Sequence, residues 1–335
     1  MKRIHINFIL LVLFSCFYCT SPRNEKVSES TAQNSPKTVA WQEIDTVNIQ
    51  QINSDLQPGL PTVDIGIYFP SNFDSSFHKV SLKRMIESFV FAKEIYKPTG
   101  VQLNLLWVKT GELNPKYFAI QSNEIPGIPD TEYANLYESS RRHPSVLPSR
   151  TIEAFQSIIE PDEANSRTIY LVALEEVFYP FLTVSEGRNW MVKSVRTGGM
   201  SFPSYSFTDQ IPQPYRGIIT ITNLSREDRY RKTIAHELGH KLINVSHEYN
   251  ETHPGFEVFA DGGLMLYGKG EDIPSGKSGR WHLERLLLSP YLYKTGADGS
   301  KKWNPDYKEN GHYYDPIYGE YVIHFLPEPE IGEDW

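Results

Sequence analysis

The sequence predicts an α+β fold from three observations. Residues 63–69 alternate between apolar and polar side chains, which is the two-residue period of a β-strand. Residues 169–174 form a continuous apolar run, which is typical of a central strand buried on both faces. Residues 225–243 repeat apolar side chains at four-residue steps, which predicts a helix with one buried stripe.

The beginning of the chain predicts export. Residues 1–16 start with Lys2 and Arg3, continue with the apolar run 4–14 and reach Cys16. The apolar run is too short to span a bilayer as a mature helix, so it is interpreted as an export signal. The sequence that ends at Cys16 resembles a bacterial lipobox, which implies that this cysteine is lipidated and becomes the mature N-terminus.

A lipid on Cys16 would place the protein in the bacterial envelope, in the periplasm or on the cell surface. The lipid would then be its only contact with a membrane. The alternative is a plain secretory signal cut near Cys19, which would release a secreted protein. The sequence has no further cysteine, so the mature domain is expected to have no disulfide.

Residues 17–60 are predicted to form a flexible tether. They are rich in Ser, Thr, Asn, Gln, Lys and Glu and show little apolar periodicity, so they cannot bury enough surface to order themselves. A short pro-segment is the competing interpretation. Inhibition of a metal site by a thiolate is excluded, because the segment after Cys19 contains no cysteine.

The folded part alternates strands and helices. The predicted elements are strand 63–69, helix 81–96, strand 101–108, a short helix 151–159, strand 169–174, edge strand 198–205, strand 217–222, helix 225–243 and helix 278–288. The tail beyond residue 288 is rich in Tyr, Trp, Pro and Asp, which predicts irregular packing.

The strongest functional motif is the pentapeptide 236–240, His-Glu-Leu-Gly-His. Residues four apart lie on one face of a helix, so His236 and His240 can reach one metal ion. Glu237 then stands beside the metal, placed to take a proton from a water molecule. The alternative is an amphipathic helix with two incidental histidines, but a core helix has no use for this spacing.

A catalytic zinc site usually has three protein ligands and one open position. Asn244 follows the helix and tolerates the left-handed conformation that ends helices, so the chain can return His247 to the metal. His253, Glu257 and Asp261 are the alternative third ligands.

The motif, the helix-ending turn, the third histidine and an apolar turn centred on Met265 together resemble the metzincin clan of zinc metallopeptidases. The resemblance implies a zincin fold with a twisted mixed five-stranded sheet. It also implies an upper subdomain over residues 61–250, which carries the zinc helix, and a smaller irregular lower subdomain over 251–335. The spacer before His247 is one residue longer than in the family pattern, with Asn244 in place of a glycine.

The resemblance also assigns roles to single residues. The implied ligands of Zn2+ and the implied general base are His236, His240, His247 and Glu237. Met265 would form the hydrophobic floor beneath the metal, and Tyr267 matches a tyrosine that some members place near it. The alternatives are an ordinary core methionine and a tyrosine bonded to a carbonyl.

The predicted edge strand has a possible role in binding substrate. An extended peptide can add to an open sheet edge through main-chain hydrogen bonds, as substrates do in metzincins. The backbone positions expected to align a substrate are Gly199, Met200, Ser201 and Phe202. A surface hairpin is the alternative for this segment.

The sequence therefore predicts a monomeric zinc metallopeptidase that acts on protein or peptide substrates. Nucleic acid is not an expected partner, because the net charge is −8 and basic clusters are missing. Two alternatives stay open. One is a surface lipoprotein that binds a partner and has a structural or inactive zinc site. The other is a zinc-dependent amidohydrolase that acts on a non-peptide substrate.

Overall fold

The computed structural model of the protein is a mixed α+β structure with a mixed sheet. This confirms the predicted class. The described part of the chain comprises residues 38–74, 80–124, 147–160, 167–184, 190–202, 215, 217–224, 231–243, 245, 263–266, 270–276, 279, 282–304, 312–315 and 319–322. Within this part, the helices are too short or too polar to cross a bilayer.

The secondary structure follows the predicted order of elements. The strands are β1 Gln42–Glu43, β2 Thr62–Pro70, β3 Gln102–Gly111, β4 Ala119–Gln121, β5 Ile169–Ala173, β6 Glu176–Val184, β7 Trp190–Arg196, β8 Gly199–Ser201, β9 Ile218–Ile221, β10 Tyr293–Thr295, β11 Lys301–Trp303, β12 His312–Asp315 and β13 Gly319–Val322. The helices are α1 Ile49–Ile52, α2 Leu82–Tyr96, α3 Ser149–Ile158, α4 Thr233–Leu242 and α5 His282–Leu287, with 3-10 turns at Lys97–Thr99 and Pro115–Tyr117.

One mixed sheet forms the centre of the fold, with the strand order β1-β3-β2-β5-β9-β8. Neighbouring strands from β3 to β9 are parallel, whereas β8 runs antiparallel to β9 at the end of this order. The five strands predicted from sequence are β2, β3, β5, β8 and β9. The sheet has eight strands rather than five, because β1 pairs with β3 and the β10–β11 hairpin joins β2.

Strand β2 is buried on both faces, although its sequence alternates like that of a strand with one wet face. Phe69 is the one residue of the strand that is not fully buried. Both neighbours of β2 are parallel strands, and parallel sheets are normally covered on both sides. Asp64 is therefore a buried carboxylate, with only 2 % of its surface exposed.

Asp64 connects the β10–β11 hairpin to the centre of the sheet. Its Oδ1 accepts hydrogen bonds from Asn104 Nδ2 at 2.8 Å and from the Tyr293 hydroxyl at 2.7 Å. Its Oδ2 forms an ion pair with Lys301 of β11. Burial, with the nearby Asp64 charge, raises the pKa of Tyr293, so this hydroxyl stays protonated and donates.

The prediction of a flexible tether is wrong for residues 38–60, whereas 1–37 lie outside the described residues. Strand β1 and helix α1 lie in this segment. The Trp41 indole donates to the Ile158 carbonyl at 2.7 Å, and the Ile44 amide donates to Val108 at 2.9 Å. Val39 is buried, so a few apolar side chains suffice to order this stretch against β3 and α3.

Two smaller sheets are also present among the described residues. β4, β6 and β7 form a three-stranded sheet, and β12 and β13 form a hairpin. Residues 251–335 therefore contain the β10–β11 and β12–β13 hairpins, where the sequence predicts irregular packing. These four strands have three or four residues and show neither alternation nor a continuous apolar run.

Helix α4 packs against α2 through polar anchors as well as apolar contacts. The Tyr96 hydroxyl donates to the Ala235 carbonyl at 3.0 Å, and the Ser88 hydroxyl donates to Arg231 at 2.8 Å. Ile234, Leu238 and Leu242 are all fully buried, which agrees with the predicted stripe. The predicted start of the helix at residue 225 lies outside the described residues.

Candidate metal centre

Helix α4 brings His236, Glu237 and His240 together. The ring centroids of the two imidazoles are 4.7 Å apart, and their planes cross at 83°. One possible ligand atom from each of the three residues lies within 4.8 Å of the others. Two Zn–N bonds of about 2.1 Å allow ligand nitrogens up to roughly 4 Å apart, so these side chains need little movement to share one ion.

Two backbone carbonyls orient the imidazoles. His236 Nδ1 lies 2.9 Å from the Leu264 carbonyl oxygen, and His240 Nδ1 lies 2.7 Å from that of Val245. Because a carbonyl oxygen can only accept, each Nδ1 carries the ring hydrogen. Each ring therefore presents Nε2 as its possible ligand atom, the arrangement by which proteins fix metal-binding histidines.

The protonation state of His236 also suits a cation. Burial lowers the pKa of this imidazole and the nearby Lys232 adds to the effect, although the bond to the Leu264 carbonyl opposes it. A metal ion binds the neutral form of imidazole. The donor set, its orientation and its charge state thus all fit a divalent metal such as zinc.

Glu237 lies on the same helix as a buried carboxyl group, 7 % exposed. Burial raises its pKa to about 8, against the opposing effects of a hydrogen bond from the Ser201 amide and the charge of Lys241. A carboxyl group with a pKa of about 8 is mostly protonated at pH 7, and a cation bound at the two imidazoles would lower this pKa and favour the carboxylate.

Sequence reasoning did not single out Lys241, although it lies one helical turn after Glu237. Its Nζ is buried and donates to the Phe202 carbonyl. Burial holds the pKa of this amine well below its usual range, while the Glu237 charge opposes the shift. The available signal was the four-residue spacing of Glu237 and Lys241, which places an acid and a base on one helix face.

Met265 packs directly against helix α4 and is fully buried. A Cβ atom added to Gly239 would lie 2.3 Å from the Met265 sulfur, so a larger residue at this position would require Met265 to shift. Met265 therefore lies beside the residue that precedes His240, and its neighbour Leu264 anchors His236. Its role as the floor of a metal site stays a prediction.

Strand β8 is an edge strand among the described residues, as the sequence predicts. Two of the backbone groups expected to meet a substrate are already used by α4, since the Ser201 amide donates to Glu237 and the Phe202 carbonyl accepts from Lys241. The part of β8 that could pair with a peptide is thus shorter than the four predicted residues.

Several predicted residues lie outside the described part of the chain. They are Cys16, Cys19, Asn244, His247, His253, Glu257, Asp261 and Tyr267. The third metal ligand, the role of the tyrosine and the lipidation of the N-terminus therefore stay predictions.

The fold and the site together define the class of this protein as an α+β protein with a candidate divalent-metal centre on a helix beside an edge strand. Known proteins do not narrow this class. No protein-family model matches the chain, and no curated protein shows significant sequence similarity to it.

Proposed function

We propose that the protein is a zinc-dependent metalloendopeptidase of the metzincin type. The observation that carries the proposal is the cluster of His236, Glu237 and His240, in which both imidazoles are turned by backbone carbonyls to present Nε2.

The sheet supports the metzincin type. The central sheet is mixed and β8 lies at its edge among the described residues, and the resemblance in sequence implies a mixed sheet with an edge strand. Helix α4 follows β9 in the chain and contacts β8 through Glu237 and Lys241. Met265 adds a buried methionine beside this helix.

Zinc, when bound, supplies a Lewis acid that polarises the scissile carbonyl and acidifies water. Glu237, as its carboxylate, accepts the proton of the attacking water and can return it to the leaving amine. His247 is the proposed third ligand, and Tyr267 is proposed to donate to the developing oxyanion. Lys241 holds the end of β8 against the helix.

The proposed setting is the bacterial envelope. A lipid on Cys16 would anchor the chain, and the residues up to 37 would separate the lipid from the folded part. Protein or peptide substrates in the periplasm or at the cell surface are then the expected targets.

One observation favours a second candidate, a zinc-dependent amidohydrolase that acts on a small non-peptide amide. Helix α4 already engages the Ser201 amide and the Phe202 carbonyl, which limits how long a peptide could pair with β8. A small substrate would need the metal and Glu237 but not the strand.

The decisive test compares the wild type with Glu237→Gln after zinc loading. Zinc content is measured by mass spectrometry of the metal, and hydrolysis by digestion of a peptide library. We expect the variant to retain zinc and to lose hydrolysis by about three orders of magnitude, because the proton acceptor is gone. Glu153→Gln on α3, a half-exposed residue distant in sequence, is the matched control and should keep full activity.

Hydrolysis that survives in Glu237→Gln would overturn the assignment of the general base. A wild type that binds zinc and cleaves small amides but no peptide would favour the second candidate. His247→Ala should lose most of the bound zinc, because two imidazoles hold it weakly. Full zinc occupancy in that variant would move the third ligand to His253, Glu257 or Asp261.

A further inference from the structure

The backbone of β8 lies unusually close to the Glu237 side chain. A Cβ atom added to Gly199 would lie 2.7 Å from Glu237 Cγ, 2.8 Å from its Oε1 and 2.9 Å from Thr233 Cγ2. All three distances are shorter than real Cβ contacts. Glycine at this position therefore allows the strand to touch the carboxyl group of the helix directly.

The hydrogen bonds of β8 explain the contact between the Ser201 amide and Glu237. The Phe202 amide donates to Ile218 at 2.7 Å, and Gly198 accepts from Thr222 at 3.0 Å, so these alternate residues face β9. Gly199 and Ser201 alternate with these residues, so their amides point away from β9. The Ser201 amide, pointing to the open side, donates to Glu237.

Gly199 and Ser201 also share one face of the strand, because side chains two residues apart point the same way. The contacts of Gly199 show that this face is covered by α4. The Glu237 carboxyl group thus contacts Gly199, which has no side chain, on one side. It also accepts a hydrogen bond from the Ser201 amide, two residues further along the strand.

We infer that Gly199 is a positioning residue for Glu237: its missing side chain, together with the Ser201 amide, sets where the carboxyl group stands relative to the two imidazoles. This inference rests on the proposed function for its effect on catalysis, but not for its effect on structure. Strand β8 then positions the proposed general base, Glu237, in addition to its proposed role in binding a substrate.

The test is Gly199→Ala in the full-length, zinc-loaded protein. The Gly199 backbone is not in the left-handed region, so alanine causes no backbone strain there. Its only cost is the overlap of the added Cβ atom with the side chains of Glu237 and Thr233. Relief of the overlap needs a shift of about half an ångström to one ångström, and misplacement of that size can cost about 100-fold in rate. We expect kcat on a cleaved peptide to fall 10- to 100-fold, with KM and zinc content within twofold of the wild type.

Gly111→Ala is the matched control. An added Cβ there would lie 2.7 Å from Val39 Cγ1 and 2.9 Å from the Ala40 carbonyl, a similar overlap in another part of the sheet. This variant should lose a similar amount of thermal stability and keep its kcat. A kcat in Gly199→Ala within twofold of the control would overturn the inference.

A second readout does not depend on activity. Hydrogen exchange of the Ser201 amide is measured in zinc-free wild type, Gly199→Ala and Gly111→Ala. We expect exchange at this amide to accelerate at least tenfold in Gly199→Ala alone, because the displaced carboxyl group no longer accepts from it. Unchanged exchange would overturn the inference even if the wild type cleaved peptides. Accelerated exchange in a protein without hydrolytic activity would support it and would refute the proposed function.

Discussion

Asp64 and Glu237 are both buried carboxylates, but their surroundings differ. Asp64 receives hydrogen bonds from Asn104 and Tyr293 and an ion pair from Lys301, so each of its oxygens has a partner. Among the described residues, Glu237 accepts a hydrogen bond from the Ser201 amide and lies near the charge of Lys241, while burial raises its pKa to about 8.

The difference lies in how the two groups are held. Asp64 joins β2 to β3 and to the β10–β11 hairpin through donors from several elements. Burial raises the pKa of Glu237, and a buried carboxyl group of this kind beside two histidines is a candidate for a chemical role. Burial alone does not distinguish the two carboxylates, whereas their partners among the described residues do.

The largest expected effect on stability is that of Asp64→Ala. Removing this carboxylate leaves the buried Tyr293 hydroxyl and the Asn104 amide without their acceptor, which we expect to lower the free energy of unfolding by about 3 kcal/mol. Urea denaturation measures this loss. Zinc content and peptide cleavage per folded molecule should stay at the wild-type level. A loss of either would show that Asp64 also contributes to the metal site.

A smaller effect is expected for Tyr293→Phe. This change removes one hydrogen bond to Asp64 and leaves the bonds from Asn104 and Lys301, so the loss should be about 1 kcal/mol. Urea denaturation beside Asp64→Ala shows whether the donors act together. A loss as large as that of Asp64→Ala would mean that the hydroxyl alone holds the hairpin.

The smallest expected effect is the coupling between the two carboxylates. Asp64 and Glu237 lie on β2 and α4 and share none of the partners described above, so their effects on stability should add within about 0.5 kcal/mol in the Asp64→Ala, Glu237→Gln double variant. The double-mutant cycle in urea measures this. An interaction energy above about 1 kcal/mol would show that the sheet transmits strain between the two sites.

The two carboxylates also show which parts of the structure the sequence predicts. His236, Glu237 and His240 share one turn of a helix, so their meeting is a local property that spacing alone reveals. Two partners of Asp64, Tyr293 and Lys301, are 229 and 237 residues away in the chain, and no local pattern indicates them. Alternation in β2 predicts a surface position for this aspartate, and only the sheet order reveals its burial.

The same limit applies within the site. The strands around α4 are found because apolar runs of four to nine residues are long enough to show their period. The contact of Gly199 with Glu237 depends on how β8 and α4 pack, which the sequence does not specify. The ordering of residues 38–60 depends likewise on a few apolar anchors within a polar composition.

The carbonyls of Leu264 and Val245 have a practical consequence. They hold both imidazoles through protein atoms alone, so an ion bound at the proposed site would cost little conformational entropy. Exchange of the proposed metal would then proceed in the folded protein. Replacement by cobalt after dialysis against a chelator should give a visible absorption spectrum that reports the number of ligands.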